Sequence, residues 1–323
     1  MTFRKKAKKI RQNILQMLFG KDLYVNAEQL KKLNQLFQYR THKYAPENKY
    51  PEMLIDWYHE KTGKRLDLNN PRTFNEKIQW CKLYESTPLK TRCADKLMVR
   101  DYIEEKIGKE YLVPLLGVYS NFDEIDFGTF PDRFVIKANH GCKYNIIVKD
   151  KAKFKKEQAK HEVDSWMGMN YAFYSGFELQ YRDIAPKIIV EQYLEDKAGS
   201  GNLTDYKFHC FNGEPKYVQV DIDRHVNHKR HFYDAEWELQ PFVWTYPPYG
   251  GNLSPPKNLE RLLQAASDLS KDFFYARVDF YSTETKEYFG EMTFSPASGL
   301  GRLKPKEWDL RLGNLIKLPT EKE

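Results

Sequence analysis

The spacing of apolar residues divides the chain into a helical first third and a mixed remainder. In residues 1–21, Ile10, Ile14, Met17 and Leu18 recur at helical spacing among Arg4, Lys5, Lys6, Lys8, Lys9, Arg11 and Lys21, predicting a basic amphipathic helix over residues 1–25. From 26 to 130 the period stays helical, through Leu30, Leu33, Leu36 and Phe37, then Met53, Leu54, Trp57 and Tyr58. Thr73-x-x-Glu76 is a capping box, in which hydroxyl and carboxylate each satisfy the other residue's backbone N–H, and it opens a helix over Phe74–Tyr84. Leu97, Met98, Tyr102 and Ile103 predict a further helix over residues 95–107, leading into an apolar segment at 111–118.

The period then changes to two. Residues 134–137 and Asn145–Val148 read as short strands about a polar turn and 187–194 as a buried strand, with a helix over 153–169 between them. Two alternating runs within 205–223 flank Asn212-Gly213, a pair that accepts the positive φ of a tight hairpin turn. Residues 231–243 read as another strand pair. Pro255 and Pro256 open a helix over 254–274, whose apolar stripe includes Leu259, Leu262, Leu263, Ala266 and Leu269. A last hairpin pairs 275–281 with 288–294. Strands and helices mix without strict βαβ alternation, so the class is α+β, divided at 1–25, 26–130, 131–195 and 196–323.

Composition narrows the setting. The 323 residues are 41% hydrophobic and 30% charged with mean hydropathy −0.74, enough for a globular core, and no apolar run approaches the ~20 residues of a bilayer span. The first apolar stretch, 14–19, contains Gln16 and precedes no small-residue cleavage site, so no cleaved leader is expected and the cytoplasm is the expected compartment. Cys81, Cys93, Cys142 and Cys210 form no C-x-x-C pair, which speaks against a disulfide framework or a zinc site. A net charge of +7 is mild and does not call for nucleic acid. The basic helix at 1–21 either rests on an anionic membrane at the inner face of the cell, each nearby Lys or Arg contributing about 1 kcal/mol, or packs its stripe on the protein.

Two constellations carry candidate chemistry. In the last hairpin, alternation sets Arg277, Asp279 and Tyr281 on one face and Val278 and Phe280 on the other. A turn near Thr285 then puts Asp279 opposite Glu291, with Thr293 on the same face. Opposed carboxylates repel unless something positive stands between them. Mg²⁺ (or Mn²⁺) suits the role, because it takes one or two protein carboxylates and completes its shell with phosphate and water. The other reading is a solvated hairpin shifted by one residue. In the second constellation a strand delivers Lys137 to an edge, and the turn at Gly141 can present backbone N–H groups to phosphate. Lys137 alone reads equally well as a surface strand end.

In order and spacing these pieces resemble the ATP-grasp superfamily, most closely its TupA-like branch, over roughly residues 67–308. The resemblance implies a helical N-terminal lobe at 26–130 and two α+β lobes, 131–195 and 196–323, clasping ATP. By the same likeness Ala94-Asp-Lys-Leu97 opens a helix and supplies one ATP lysine, Lys96. Lys137 is the strand lysine, followed by a flexible loop over the phosphates at 140–144 that includes Gly141. Glu191 and Leu194 on the hinge strand border adenine, Asp196 reaches the ribose, and Lys207 contacts phosphate. The Arg-x-Asp and Glu-x-Asn pair matches Arg277, Asp279 and Glu291, with Thr293 where the family usually has Asn. Asp279, Glu291 and Thr293 are thus the implied metal ligands and Arg277 the implied catalytic oxyanion holder. The implied activity is ATP-dependent joining of a carboxylate to an amine through an acyl phosphate, with ATP and Mg²⁺ (or Mn²⁺) as cofactors. The implied setting is bacterial capsule, teichuronic-type or O-antigen assembly, and the implied partner a saccharide or lipid-linked glycan acceptor.

Other motifs compete. Asp221-x-Asp223 matches the short pattern with which glycosyltransferases hold a metal and a nucleotide sugar. A sugar kinase would use the same metals and lysines. His225, His228 and His231 share a face only on a helix, and their basic neighbours Arg224, Lys229 and Arg230 oppose a cation, so a basic turn is the better reading. The aromatic residues of 237–249 either stack sugars or pack a loop. His209 reads as a satisfied strand residue. No G-x-G-x-x-G stands between a strand and a helix, which disfavours dinucleotide chemistry. Nucleic-acid binding has no recognised module behind it.

Overall fold

A computed structural model of the chain describes residues 27–195, 204–222, 227–283 and 286–319. The chain falls into two units, Met1–Tyr44 and Ala45–Glu323. In the first, α1 (Ala27–Lys43) ends on Arg40, His42 and Lys43, cations that suit the negative end of a helix dipole. The basic helix expected over 1–25 lies outside the described residues.

The second unit opens with helices. α2 (Tyr50–Thr62) stops at Gly63, whose φ of 74° is the left-handed conformation that glycine adopts without strain. α3 (Phe74–Tyr84) carries the expected capping box: Thr73 Oγ1 accepts from the Glu76 N–H at 3.3 Å, and the Glu76 carboxylate accepts from the Thr73 N–H at 3.0 Å. The helix expected over 95–107 is shorter. α4 (Pro88–Ala94) ends where the Asp95 carboxylate accepts from the N–H groups of Leu97 and Met98 at 2.7 and 3.2 Å, which turns the chain before α5 (Val99–Lys106) begins. Asp95 and Lys96 therefore occupy a turn between two helices and do not open one, a correction to the pattern reading.

β1 (Leu115–Tyr119), β2 (Phe134–Ala138), β3 (Asn145–Val148) and β4 (Ile188–Gln192) form an antiparallel sheet ordered β1-β4-β2-β3, with α6 (Lys156–Met167) packed on β2. Phe122, Ile125 and Phe130 share its core with Phe134, Ile136 and Val190. This sheet thus draws its first strand and part of its core from the stretch 26–130.

The remaining strands are β5 (Thr204–Phe211), β6 (Glu214–Ile222), β7 (Lys229–Tyr233), β8 (Val243–Trp244), β9 (Tyr275–Ser282), β10 (Glu287–Thr293) and β11 (Leu303–Lys304). Five of them make a second antiparallel sheet, β10-β9-β5-β6-β7, while β8 pairs with β11. Asn212 (φ 49°) and Gly213 (φ 83°) form the tight turn that links β5 to β6. α7 (Leu259–Ser270) packs on β5, β6 and β9; it starts four residues after Pro255, because 252–256 take no regular structure and 257–258 form a turn. α8 (Glu307–Leu315) closes the chain against α3. Phe74 and Ile78 of α3 are wholly buried beside Phe211, Trp244, Tyr275 and Trp308, so α3 belongs to the core of the second sheet. Truncating such an aromatic to Ala costs about 3–5 kcal/mol. Trp244, from the aromatic stretch, is spent on this core.

Candidate active site

A cleft gathers Lys96 from the α4–α5 turn, Arg100 from α5, Lys137 from β2, Glu191 from β4 and Glu291 from β10. The turn that carries Lys96 is tied to the end of β2. Lys96 N–H donates to Asn139 O at 3.1 Å, and Asn139 Nδ2 donates to the Asp95 carboxylate at 2.9 Å. The Lys96 ammonium rests on the Gly141 carbonyl. Lys137 Nζ donates to Glu191 Oε2 at 2.5 Å, while Arg100 donates to Glu191 Oε1 at 3.3 Å and to Val113 O at 2.9 Å. Glu191, implied as a neighbour of adenine, thus spends its carboxylate on two cations. Leu194 is half-buried just past β4, and Asp196 lies outside the described residues.

The loop 140–144 is anchored from two sides. His140 Nε2 donates to Trp166 O at 3.0 Å, and burial holds the imidazole below its ordinary pKa, in the neutral form. Tyr144 stacks on Trp166 with ring centroids 5.4 Å apart. A Cβ at Gly141 would stand 2.5 Å from the Tyr144 ring and 2.9 Å from that of Tyr171, so only glycine fits between them.

Opposite this cation-rich side stands the second sheet. Glu291 pairs with Asp279 and Thr293 with Arg277 across β9 and β10, while Lys207 of β5 lies directly beside Asp279. The pairing of Asp279 with Glu291 depends on a bulge at Gly290: below it Phe289 faces Phe280, and one skipped residue brings Glu291 onto the Asp279 face. The hairpin is not a solvated one. Asp279 is buried, and Arg277 grips it through two bonds of 2.7 Å, reaching also to Glu291 at 3.2 Å and Thr293 Oγ1 at 3.0 Å. Lys207 Nζ donates to Asp279 at 3.1 Å and to Asp205. Burial alone would raise the Asp279 pKa; the Arg277 and Lys207 charges overcome it and hold the carboxyl below its usual range. The other amino group of Arg277, Nη1, has no hydrogen-bond acceptor among the described residues, which leaves a guanidinium edge for a ligand oxygen.

Carboxylate and hydroxyl oxygens are the hard donors that Mg²⁺ takes; Glu291 and Thr293 present them at the cleft, while both oxygens of Asp279 are held by Arg277 and Lys207. Glu291 is 34% exposed and opens on the cleft, with Thr293 Oγ1 3.1 Å away. Among the described residues no three His, Cys, Asp or Glu side chains assemble to hold a metal alone. Two protein carboxylates with phosphate and water completing the shell is the usual pattern of Mg²⁺ bound with a nucleotide.

The described residues of the competing motifs serve structural ends. Asp221 is buried, accepts from Arg230 at 2.6 Å, His228 at 3.0 Å and Gln219 at 3.0 Å, and is held well below the usual carboxylate range by Arg230 despite its burial. Asp223 and His225 lie outside the described residues. His228 stacks on Tyr246 at 3.6 Å, whereas His231 bonds Tyr233 and Tyr249, so the two histidines do not converge on one ligand. His209 is the satisfied strand residue expected, between Tyr275 and Gln219. The pattern reading passed over Arg100; its one signal was its place one helical turn beyond Lys96.

Two antiparallel sheets bordering a cleft with lysines on one side and paired carboxylates on the other define an ATP-grasp protein. A family model described as TupA-like ATPgrasp matches residues 76–317, and the chain belongs to that family. Among solved structures it is similar to D-alanine–D-alanine ligase from Bacillus anthracis, at 19% identity and a TM-score of 0.34, covering 62% of this chain and 57% of that one. It is also similar to L-amino acid ligase from Bacillus licheniformis, at 12% identity and a TM-score of 0.40, covering 70% and 49%. A third is D-alanine–D-alanine ligase from Helicobacter pylori, at 15% identity and a TM-score of 0.38, covering 76% and 69%. The chain thus spans little more than half the length of the first and about half of the second. No protein of curated function matches.

Proposed function

We propose that the protein is an ATP-dependent ligase that joins a carboxylate to an amine on a cell-surface polysaccharide. The observation that carries the reading is the cleft, where Lys96, Arg100 and Lys137 stand across from Glu291 and its Arg277–Asp279 neighbours. Lys96 and Lys137 neutralise phosphate oxygens, Lys96 exchanging the neutral Gly141 carbonyl for a charge-assisted partner and Lys137 exchanging one anion, Glu191, for another. Asp279, Glu291 and Thr293 would hold Mg²⁺, which when bound neutralises charge on the β- and γ-phosphate oxygens. The substrate carboxylate attacks the γ-phosphorus, the bond to the β–γ bridging oxygen breaks, and ADP leaves as an acyl phosphate forms. The amine then attacks the acyl carbon, and phosphate leaves as the amide forms. Arg277, oriented by its two hydrogen bonds to Asp279, offers Nη1 to the oxyanion of that attack; such a donor is typically worth about 3 kcal/mol.

The polysaccharide part of the reading rests on the family's resemblance to enzymes of bacterial envelope assembly. The acceptor is then a uronic-acid saccharide or a lipid-linked glycan, and the basic segment 1–21 would keep the enzyme on the anionic inner face of the membrane. No helix among the described residues is long and apolar enough to cross a membrane. A thermal-shift panel tests the nucleotide, because a ligand that binds only the native state raises its melting temperature. MgADP and MgATP are expected to stabilise the protein and UDP-sugars are not. Lys137→Ala should weaken MgADP by about tenfold or more, the loss of one charged hydrogen bond. Release of ADP on adding a uronic acid and an amine completes the test; stabilisation by a UDP-sugar alone would overturn the reading in favour of glycosyl transfer.

A further inference from the structure

Arg100 belongs to none of the matched motifs, yet it sits at the point where three segments of the cleft meet. Its Nη2 donates to Val113 O at 2.9 Å, just before β1, and its Nη1 to Glu191 Oε1 at 3.3 Å on β4. The other oxygen of the same carboxylate accepts from Lys137 at 2.5 Å. Arg100 and Lys137 are 16% and 18% exposed and Glu191 8%, so the three charges interact where water screens them weakly. β1 in turn pairs with β4 at Leu115 and Glu191, which fixes the distance across which Arg100 reaches.

We propose that Arg100 is a positioning residue for nucleotide binding, acting through Glu191 on Lys137; the inference rests on the nucleotide reading above. One carboxylate shared between two cations holds each less tightly than it would hold either alone. Arg100 thus draws part of the Glu191 charge to itself, and Lys137 is left oriented by Glu191 but free to exchange it for a phosphate oxygen. Without Arg100 the whole charge of Glu191 falls on Lys137, and a phosphate must compete with an undivided ion pair. Arg100 works by partitioning a counter-charge, which a fold-stabilising bond to Val113 O alone would not do.

The test measures MgADP affinity by calorimetry on the full chain in the wild type, Arg100→Ala, Arg100→Lys, Glu191→Gln and the Arg100→Ala/Glu191→Gln double variant. Arg100→Ala is expected to weaken MgADP about tenfold, and removing the competing carboxylate in the double variant to restore it to within about threefold of Glu191→Gln, the non-additivity of coupled neighbours. Arg100→Lys, which keeps the charge and loses the fork to two acceptors, should fall between the wild type and Arg100→Ala and serves as the reading if Arg100→Ala does not fold. Equal weakening in Arg100→Ala and the double variant would mark a purely structural bond and overturn the relay, as would wild-type affinity in Arg100→Ala. A wild type that binds no MgADP overturns the nucleotide reading and the relay with it, whereas wild-type binding with no effect of Arg100 overturns the relay alone.

Discussion

On the α5 bank of the cleft Lys96, Arg100 and Lys137 stand with one carboxylate, Glu191, which pairs with Arg100 and Lys137, whereas on the opposite sheet Lys207 and Arg277 stand among Asp205, Asp279 and Glu291. Three cations against one acid leave a formal +2 on the first bank; two against three leave −1 on the second. The first is built for anions of more than one charge. The second has its own cations buried within the carboxylates and still a carboxylate in excess, a net charge that favours a cation. A metal–polyphosphate complex is complementary to both banks at once, and neither bank alone would select one. Burial sharpens the contrast: Asp279 and Lys207 are each about 4% exposed, while Lys137 keeps 18% of its side chain in water.

The comparison breaks most decisively at Glu291. Glu291→Gln removes the one carboxylate of the second bank that opens on the cleft, and turnover should fall by about 10²-fold or more, as for loss of a charge-placing group. Its fold should persist, since the side chain is a third exposed and Gln keeps an oxygen for Arg277 and Thr293. Circular dichroism with an ADP-release assay checks both halves, and near-normal turnover would refute the metal assignment. A smaller effect is expected at Gly290, which sets the register of that carboxylate. A Cβ there would stand 3.1 Å from the Asp279 carbonyl oxygen and 3.2 Å from the Tyr281 ring. Gly290→Ala should cost about 1 kcal/mol of stability by overpacking, a drop in melting temperature of roughly 2 °C, together with a several-fold loss of turnover as Glu291 shifts from Asp279.

The smallest effect on turnover concerns the buried support beneath the second bank. Burial, with the Arg277 charge adding to it, pushes His209 down to about 3. The folded protein keeps this imidazole neutral where the unfolded chain protonates it, so stability should fall as pH drops from about 6.5 toward 3, by on the order of 1 kcal/mol per pH unit. His209→Gln should flatten that slope, measured as the urea midpoint at pH 7 and pH 5. An unchanged slope would place the acid sensitivity in other groups, such as the depressed Asp279.

Short-range physics made much of the fold legible. The capping box at Thr73 and the Asn212-Gly213 turn need only neighbours in the chain, and the structure has both. The alternation of β9 set Arg277 and Asp279 on one face correctly. Pairing Asp279 with Glu291 came out right for an incomplete reason: a plain hairpin with the register seen at Phe289 and Phe280 would have turned Glu291 away, and the Gly290 bulge restores it. A bulge depends on how closely two backbones approach, which the alternation of either strand does not reveal. Lys96 reached the cleft from a turn, not from a helix start, because Asp95 found its partners in the next two N–H groups.

The sequence by itself determined the α+β class, the family and the residue types the cleft would need, since these follow from periodicity, turn chemistry and the order of short motifs. The tertiary structure alone decided which charges meet. Asp221 went to Arg230 and His228, Arg100 to Glu191, and Lys82 into a pocket against Ser175 and Ser298, where burial pushes its ammonium down to about 7. Each of these pairings joins residues that local pattern leaves independent, and each is chosen because a buried charge must find a partner wherever the packed elements place one.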